Sequence, residues 1–332
     1  MTQTTQLEHS IKEFTDCFER IEKEISKVIV GNEKVVRLTM SAIFAGGHAL
    51  LEGVPGLGKT LLVKTIAKTL GLSFKRIQFT PDLMPSDVTG TQVLTEDQTG
   101  RRHFVFKPGP VFANILLADE INRATPKTQS SLLEAMEEKQ ITVLGETHKL
   151  PPPFFVLATQ NPVELEGTYP LPEAQLDRFL VKILLELPSS EELKTILTRT
   201  TGAHVPEPQA VFAEGEGAQK IELMKALVRQ VTVADPMLEV LARMIAALTP
   251  GDSFATEKVK RYVRFGPGPR GAQAVMLCAK VAALLDGRIN LAFDDLREAL
   301  LPTLRHRLIL NFQADADSVS ADDILLEIKN AR

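Results

Sequence analysis

"GVPGLGKT", residues 53–60, lies between the apolar run "HALLEG", 48–53, and the helical run "TLLVKTIAKTLG", 60–71. Three glycines and a proline in eight residues make neither a packed core nor a stable helix. They suit a backbone that must approach a partner closely. The spacing fits G-x-x-x-x-G-K-[ST], running from Gly53 through Gly58 to Lys59 and Thr60. In that pattern glycines turn backbone N–H groups inward around phosphates, and the following helix aims its positive end at them. Lys59 then reaches the β- and γ-phosphates of ATP, and the Thr60 hydroxyl ligates Mg²⁺.

Downstream, "NILLADEI" (114–121) supplies a complementary half. Asp119 ends an apolar strand, where phosphate-loop enzymes place the acid that holds the Mg²⁺ shell. Glu120 beside it could polarise an attacking water, which marks a hydrolase rather than a kinase. Two acids could simply cap the next helix. Side by side near Mg²⁺ and a triphosphate, however, they are poor structural choices.

Outward from these motifs the chain reads as two zones. "IKEFTDCFERIEKEISKVIV" and "GNEKVVRLTMSAIFAG" have apolar residues at helical spacing. The strand-like runs "HALLEG", "SFKRIQFT", "NILLADEI", "PPPFFVLATQNP" and "FLVKILLELP" then alternate with helices, as in a parallel sheet covered on both faces. After Pro188 the strand signals vanish and helical periods take over, with a Gly/Pro-rich loop at 202–217. The expectation is an α/β domain over 1–188 and an all-α domain over 189–332.

Composition sets outer limits. The 332 residues carry 44% hydrophobic and 24% charged residues and a net charge of −4, a soluble globular profile. No run approaches the roughly eighteen apolar residues of a membrane span, and "MTQTTQLEHS" lacks a secretory core. Cys17 and Cys278 are too far apart in sequence to suggest a metal or redox pair, and read as buried thiols in a reducing cytoplasm. The acidic balance, with no Trp and two Tyr, does not suit a nucleic-acid groove.

The strings "KPGPVFANILLADEINRATPKTQSSLLEAMEEKQITV" and "ATQNPVELEGTYPLPEAQLDRF" are similar to the MoxR family of AAA+ ATPases, a likeness running from about Val30 to the C-terminal helices. The resemblance implies a P-loop AAA+ domain with β-hairpin insertions, a helical lid, and assembly into a ring, commonly a hexamer. It implies nucleotide contacts at Val30 and Gly31 and along the loop, Gly53, Val54, Pro55, Gly56, Leu57, Gly58, Lys59, Thr60 and Leu61. Asn161 resembles the sensor-one residue that orients water. Arg178 resembles the arginine finger that reaches a neighbour's nucleotide, and Arg270 the sensor-two arginine of the lid. "GPGPR" departs from the family's usual pattern by an added proline, and Arg270 could serve its own or the neighbour's nucleotide. The other cations nearby, Lys258, Lys260, Arg261 and Arg264, read as surface.

Two hairpins are expected, at about 88–107, interrupting the second helix, and at 139–153. The family uses them toward a client. His103 and His148, one in each, do not make a metal site. Pro151, Pro152 and Pro153 stiffen the approach to the next strand. Three functions compete: a remodelling chaperone that matures partner complexes, some with a metal cofactor, working with a von Willebrand factor A-domain protein; a replicative-helicase-type motor; and a non-hydrolysing switch. Net charge disfavours the second, and the full set of catalytic residues disfavours the third. The first is favoured.

Overall fold

The computed structural model describes residues 3–162, 167–202 and 206–330. Two long helices open the chain, α1 (Gln3–Ser26) and α2 (Glu33–Ala45). The α/β part follows with β1 (Ala49–Glu52), α3 (Lys59–Thr69), β2 (Phe74–Gln78), α4 (Pro85–Thr89), β3 (Gly90–Glu96), β4 (Arg102–Pro108) and β5 (Ile115–Asp119). It continues through α5 (Pro126–Glu138), β6 (Gln140–Val143), β7 (Glu146–Lys149), β8 (Phe155–Gln160), α6 (Glu173–Leu176) and β9 (Val181–Leu184).

The central sheet has the order β2-β5-β8-β1-β9, and every pairing in it is parallel. Its inner strands are apolar on both faces because helices cover both: β5 buries Ile115 through Ala118, and β8 buries Phe155 through Thr159. The sheet separates two cores. On one face α5 contributes Leu132, Leu133 and Met136 beside Leu116, Val156 and Phe179. On the other, a larger core runs from α1 through α3 to the C-terminal helices.

The C-terminal half contains α7 (Ser190–Thr200), α8 (Gly217–Gln230), α9 (Asp235–Ala247), α10 (Glu257–Tyr262), β10 (Val263–Phe265) and α11 (Pro269–Leu285). It closes with α12 (Phe293–Leu304), β11 (Ile309–Leu310), α13 (Phe312–Ala316) and α14 (Ala321–Asn330). Among the described residues this half is helical apart from a single parallel bridge, Thr232 to Asn290, and the antiparallel ribbon β10–β11, whose two- and three-residue strands are too short to carry a period. α11 packs on α1 and α2, and α12 on β9, so the lid shares the larger core rather than building one of its own.

Both expected hairpins form, β3–β4 and β6–β7. The first follows the one-turn α4 directly, and no helix resumes between Pro108 and Ile115, so it ends a helix rather than interrupting one. The hairpins touch: His148 stacks on Phe106 with ring centroids 3.9 Å apart and planes 11° from parallel. The Gly/Pro-rich loop at 202–217 is irregular over 206–213, while 203–205 lie outside the described residues, as do 163–166 of the motif before Arg178. Cys278 is buried, with burial pushing its thiol up to about 12. Cys17 is only partly buried, because its position on α1 borders a groove against α8, and that burial raises its thiol to about 11. No described helix is long and apolar enough to cross a membrane.

Candidate functional site

The phosphate-loop end is built at the C-terminal edge of the sheet. β1 ends at Glu52 and α3 begins at Lys59, so residues 53–58 must turn within one loop. Gly56 and Gly58 adopt φ of +86° and +74°, which L side chains resist. A Cβ on either would meet nothing within 4 Å, so the loop presents bare backbone to open space. Gly58 caps α3 without a side-chain hydrogen bond, leaving first-turn N–H groups available to an anion. Gly53 is needed for a different reason. It is buried, and a Cβ there would come within 2.7 Å of the Leu185 side chain, just before the lid. Val54, Pro55, Leu57, Thr60 and Leu61 all retain partial or full exposure along the loop and first turn.

Lys59 donates from Nζ to the Gly53 carbonyl at 2.5 Å. Burial pulls its ammonium below the ordinary lysine range, against the opposing fields of Asp119, Glu120 and Glu52. Those carboxylates therefore face the same space as the lysine. Gly31 lies against the start of α7, with the half-buried Val30 next to it in sequence: Gly31 has φ +65°, and a Cβ on it would overlap the Glu192 carboxylate.

Asp119 and Glu120 are held from β8 and β2. Thr159, fully buried, donates to Asp119 Oδ1 at 2.7 Å and accepts the Glu120 N–H at 2.8 Å. Glu120 has φ +55°, a strained conformation for a non-glycine residue. Its Oε2 accepts from Gln78 Nε2 at 2.7 Å and Arg123 at 3.0 Å. Asp119 Oδ2 accepts from Arg76 at 2.7 and 3.1 Å. Asn161 is buried immediately past β8, two residues after Thr159, at the same edge of the sheet. Loop amides, Lys59, Thr60 and the two carboxylates thus fit a triphosphate with Mg²⁺.

Arg178 and Arg270 are elsewhere. Arg178 precedes β9 by three residues, and β9 runs parallel to β1 with Val181 opposite Ala49. Arg178 therefore lies at the N-terminal end of β1, whereas the phosphate loop leaves its C-terminal end. The four residues of β1 alone span roughly 13 Å. Arg270, at the start of α11, is at the same far end. Both guanidiniums converge on Glu137, Arg178 to Oε2 at 3.0 Å and Arg270 to Oε1 at 2.6 Å. They line a cavity of about 230 Å³ together with Arg229, Arg307 and Asp177. The nearly buried Arg307 fixes the segment that carries Arg178. It pairs with Asp177 Oδ1 at 2.8 Å and donates to the carbonyls of Asp177, Phe179 and Leu180 at 2.9, 2.8 and 3.1 Å.

Of the neighbouring cations, Lys258, Lys260 and Arg261 pair with Glu327, Glu257 and Asp317, and Arg264 lies over Phe265. The added proline of "GPGPR" is Pro267, which lies ahead of α11, while Pro269 of the retained Pro-Arg opens the helix where a missing N–H costs nothing. Sequence reasoning missed Arg76, Gln78, Arg123, Glu137, Thr159 and Arg307. Thr159 alone carries a signal, a polar side chain at the end of the apolar run "FFVLA" of a buried strand; Arg76, Gln78, Arg123 and Glu137 are exposed side chains that the sequence does not mark. Among the described residues no His, Cys, Asp and Glu group could hold a metal by itself, and His103 is 3.4 Å from Thr95 Oγ1.

A family profile described as ATPase family associated with various cellular activities (AAA) matches residues 48–181, and one for the AAA lid domain matches 255–328. The chain is 43% identical to the Bacillus subtilis protein YeaC over 93% of its own length and 92% of that protein's. It is 40% identical to Chaperone MoxR1 of Mycobacterium tuberculosis, covering 92% of this chain and 79% of the relative. Protein MoxR of Methylorubrum extorquens is 32% identical over 90% of each chain. A Cytophaga hutchinsonii crystal structure provisionally assigned as an ATPase superposes with a TM-score of 0.90 at 38% identity, covering 99% of this chain and 98% of the other. With both halves matched and relatives this similar along nearly the whole length, the chain belongs to the MoxR family of AAA+ ATPases.

Proposed function

We propose that this protein hydrolyses ATP at sites shared between neighbouring copies in a ring, hexameric by family resemblance, and uses the cycle to remodel a partner protein complex. The observation that carries the reading is the separation of Arg178 and Arg270 from the phosphate loop of their own chain. Two guanidiniums at the wrong end of β1 serve no phosphate of their own subunit. A neighbour docked against that end would receive both, which makes Arg270 a trans residue like Arg178.

Within one site, the loop amides and Lys59 hold the phosphates, and Thr60 and Asp119 orient the metal. Mg²⁺, when bound, offsets charge on the β- and γ-oxygens. Glu120 takes the proton of an attacking water, and Asn161 orients that water. Arg178 and Arg270 of the adjacent copy stabilise charge that develops on the γ-phosphate. Val30 and Gly31 border the nucleotide from the lid side.

The hairpins are the reading's client surface. Leu94, Phe104 and Leu144 are 51%, 65% and 80% exposed, far more than a self-contained hairpin needs. A client complex, some with a metal cofactor to be inserted, and a von Willebrand factor A-domain partner follow from family resemblance, as does a cytoplasmic setting. The name Chaperone MoxR1 of one relative agrees with a remodelling role. The division of labour places the motor in 1–188 and the lid in 189–332.

The test is steady-state ATPase of the wild type against Glu120→Gln, with and without single-stranded DNA. Glu120→Gln is expected to bind ATP normally and to lose about 10²- to 10⁴-fold in turnover. DNA is expected to leave the wild-type rate unchanged. Wild-type turnover by the mutant would move the base elsewhere, and strong DNA stimulation would favour a nucleic-acid motor.

A further inference from the structure

Asp119, the carboxylate placed to hold the metal, is already occupied by a cation of the chain itself. Arg76 donates to Asp119 Oδ2 from Nη2 at 2.7 Å and from Nε at 3.1 Å. Thr159 takes Oδ1. Arg76 and Gln78 are two apart on β2 and so share a face of the edge strand. Nη2 of Arg76 also donates to Gln78 Oε1 at 2.7 Å, and Gln78 Nε2 donates to Glu120 Oε2 at 2.7 Å. One guanidinium thereby touches the metal-holding carboxylate and, through Gln78, the water-polarising one.

We propose that Arg76 competes with a divalent cation for Asp119, so that the site takes metal together with nucleotide and not alone. The proposal rests on the nucleotide-site reading above. Both lone pairs of Oδ2 are committed to the Arg76 fork, and a dication beside a guanidinium meets direct Coulomb repulsion. Phosphate oxygens offset that repulsion, which bare protein cannot. The Arg76 side chain is 45% exposed against 14% for Asp119, so the arginine is the partner with solvent to move into. Its departure also removes a donor from Gln78 Oε1, which links metal arrival to the hydrogen bonding of Glu120. An Arg76 that merely orients Asp119 would do the reverse: its loss would weaken metal binding.

The test uses the full chain and Mn²⁺ as the probe, with free Mn²⁺ read by electron paramagnetic resonance in the absence of nucleotide. A parallel titration follows the Mg²⁺ dependence of a fluorescent ATP analogue. Arg76→Met removes the charge at similar length, Arg76→Gln is a second neutral variant, and Arg76→Lys keeps the charge. The neutral variants are expected to bind Mn²⁺ about tenfold tighter than wild type. They should also reach half-saturation with the analogue at correspondingly lower Mg²⁺. Arg76→Lys should stay near wild type, and Asp119→Asn added to Arg76→Met should remove the gain. Unchanged or weaker Mn²⁺ binding by both neutral variants, with wild-type circular dichroism and analogue binding intact, overturns the competition alone. Failure of the wild type to bind the analogue at any Mg²⁺ overturns the nucleotide-site reading and this inference with it.

Discussion

The two ends of β1 hold the two halves of the candidate site, and they are built in opposite ways. At the C-terminal end, residues 53–61 form one uninterrupted loop and helix start, and Asp119 and Glu120 are adjacent in sequence. At the N-terminal end, Glu137, Asp177, Arg178, Arg270 and Arg307 come from α5, the approach to β9, and two separate parts of the lid. The first end is a local backbone device, since glycines with positive φ must be neighbours in sequence to make a cradle. The second is a tertiary device, in which Glu137 on one helix gathers cations from two distant segments and Asp177 holds Arg307 from a third. The first end presents bare loop backbone with a lysine beside it, whereas the arginines of the second are engaged with Glu137 and Asp177.

Breaking the loop end has the largest expected effect. Lys59→Ala should abolish ATP binding, because the loop then holds the triphosphate by amides alone. Isothermal calorimetry checks it, and unchanged affinity would remove the loop from the account. At the arginine end the pattern should invert. Arg178→Ala should spare ATP affinity while lowering turnover by up to 10³- to 10⁵-fold, the range known for arginine fingers. Arg270→Ala should follow the same pattern with a smaller loss, since its side chain is more exposed. A binding defect in either variant, measured on the same calorimeter, would place that arginine at its own nucleotide.

The smallest effect concerns acid. His48 sits at the arginine end, donating from Nε2 to the Met136 carbonyl and accepting the Val156 N–H on Nδ1. Burial holds its pKa at about 4, against 6.5 for an ordinary histidine. An unfolded chain takes that proton first, so the stability present above pH 6.5 is lost as pH falls toward 4. That difference corresponds to about 3 kcal/mol in full. His306, held against the Phe179 carbonyl at the same end and pushed well below the usual range by burial, acts in the same direction. Urea midpoints of the wild type should therefore fall between pH 7 and 5 more steeply than those of His48→Gln. Equal slopes would show that His48 does not carry the difference.

This contrast also explains what was legible beforehand. The parallel sheet, its helices and both hairpins follow from local periodicity, and "GVPGLGKT" and "LLADE" declare phosphate chemistry by spacing alone. The ribbon Val263–Phe265 with Ile309–Leu310 did not, because pairing across 44 residues leaves no local period. Glu137 and Arg307 were equally hidden. Each reads as an ordinary charge on an amphipathic helix until the fold sets it beside Arg178. Arg76 looked like strand polarity until β5 brought Asp119 alongside.

The central claim is that the loop end of one copy works with the arginine end of the next. Mixing Arg178→Ala with Glu120→Gln tests it most directly, with separately tagged copies to show that subunits exchange. The first variant keeps its loop and Glu120; the second keeps its arginines. In a mixed ring, some interfaces join an intact Glu120 to an intact Arg178 and Arg270. The account predicts that ATPase activity, nearly absent from either protein alone, returns in part and peaks near equal proportions. Exchange without any return of activity would contradict it, as would full activity of assembled Arg178→Ala by itself.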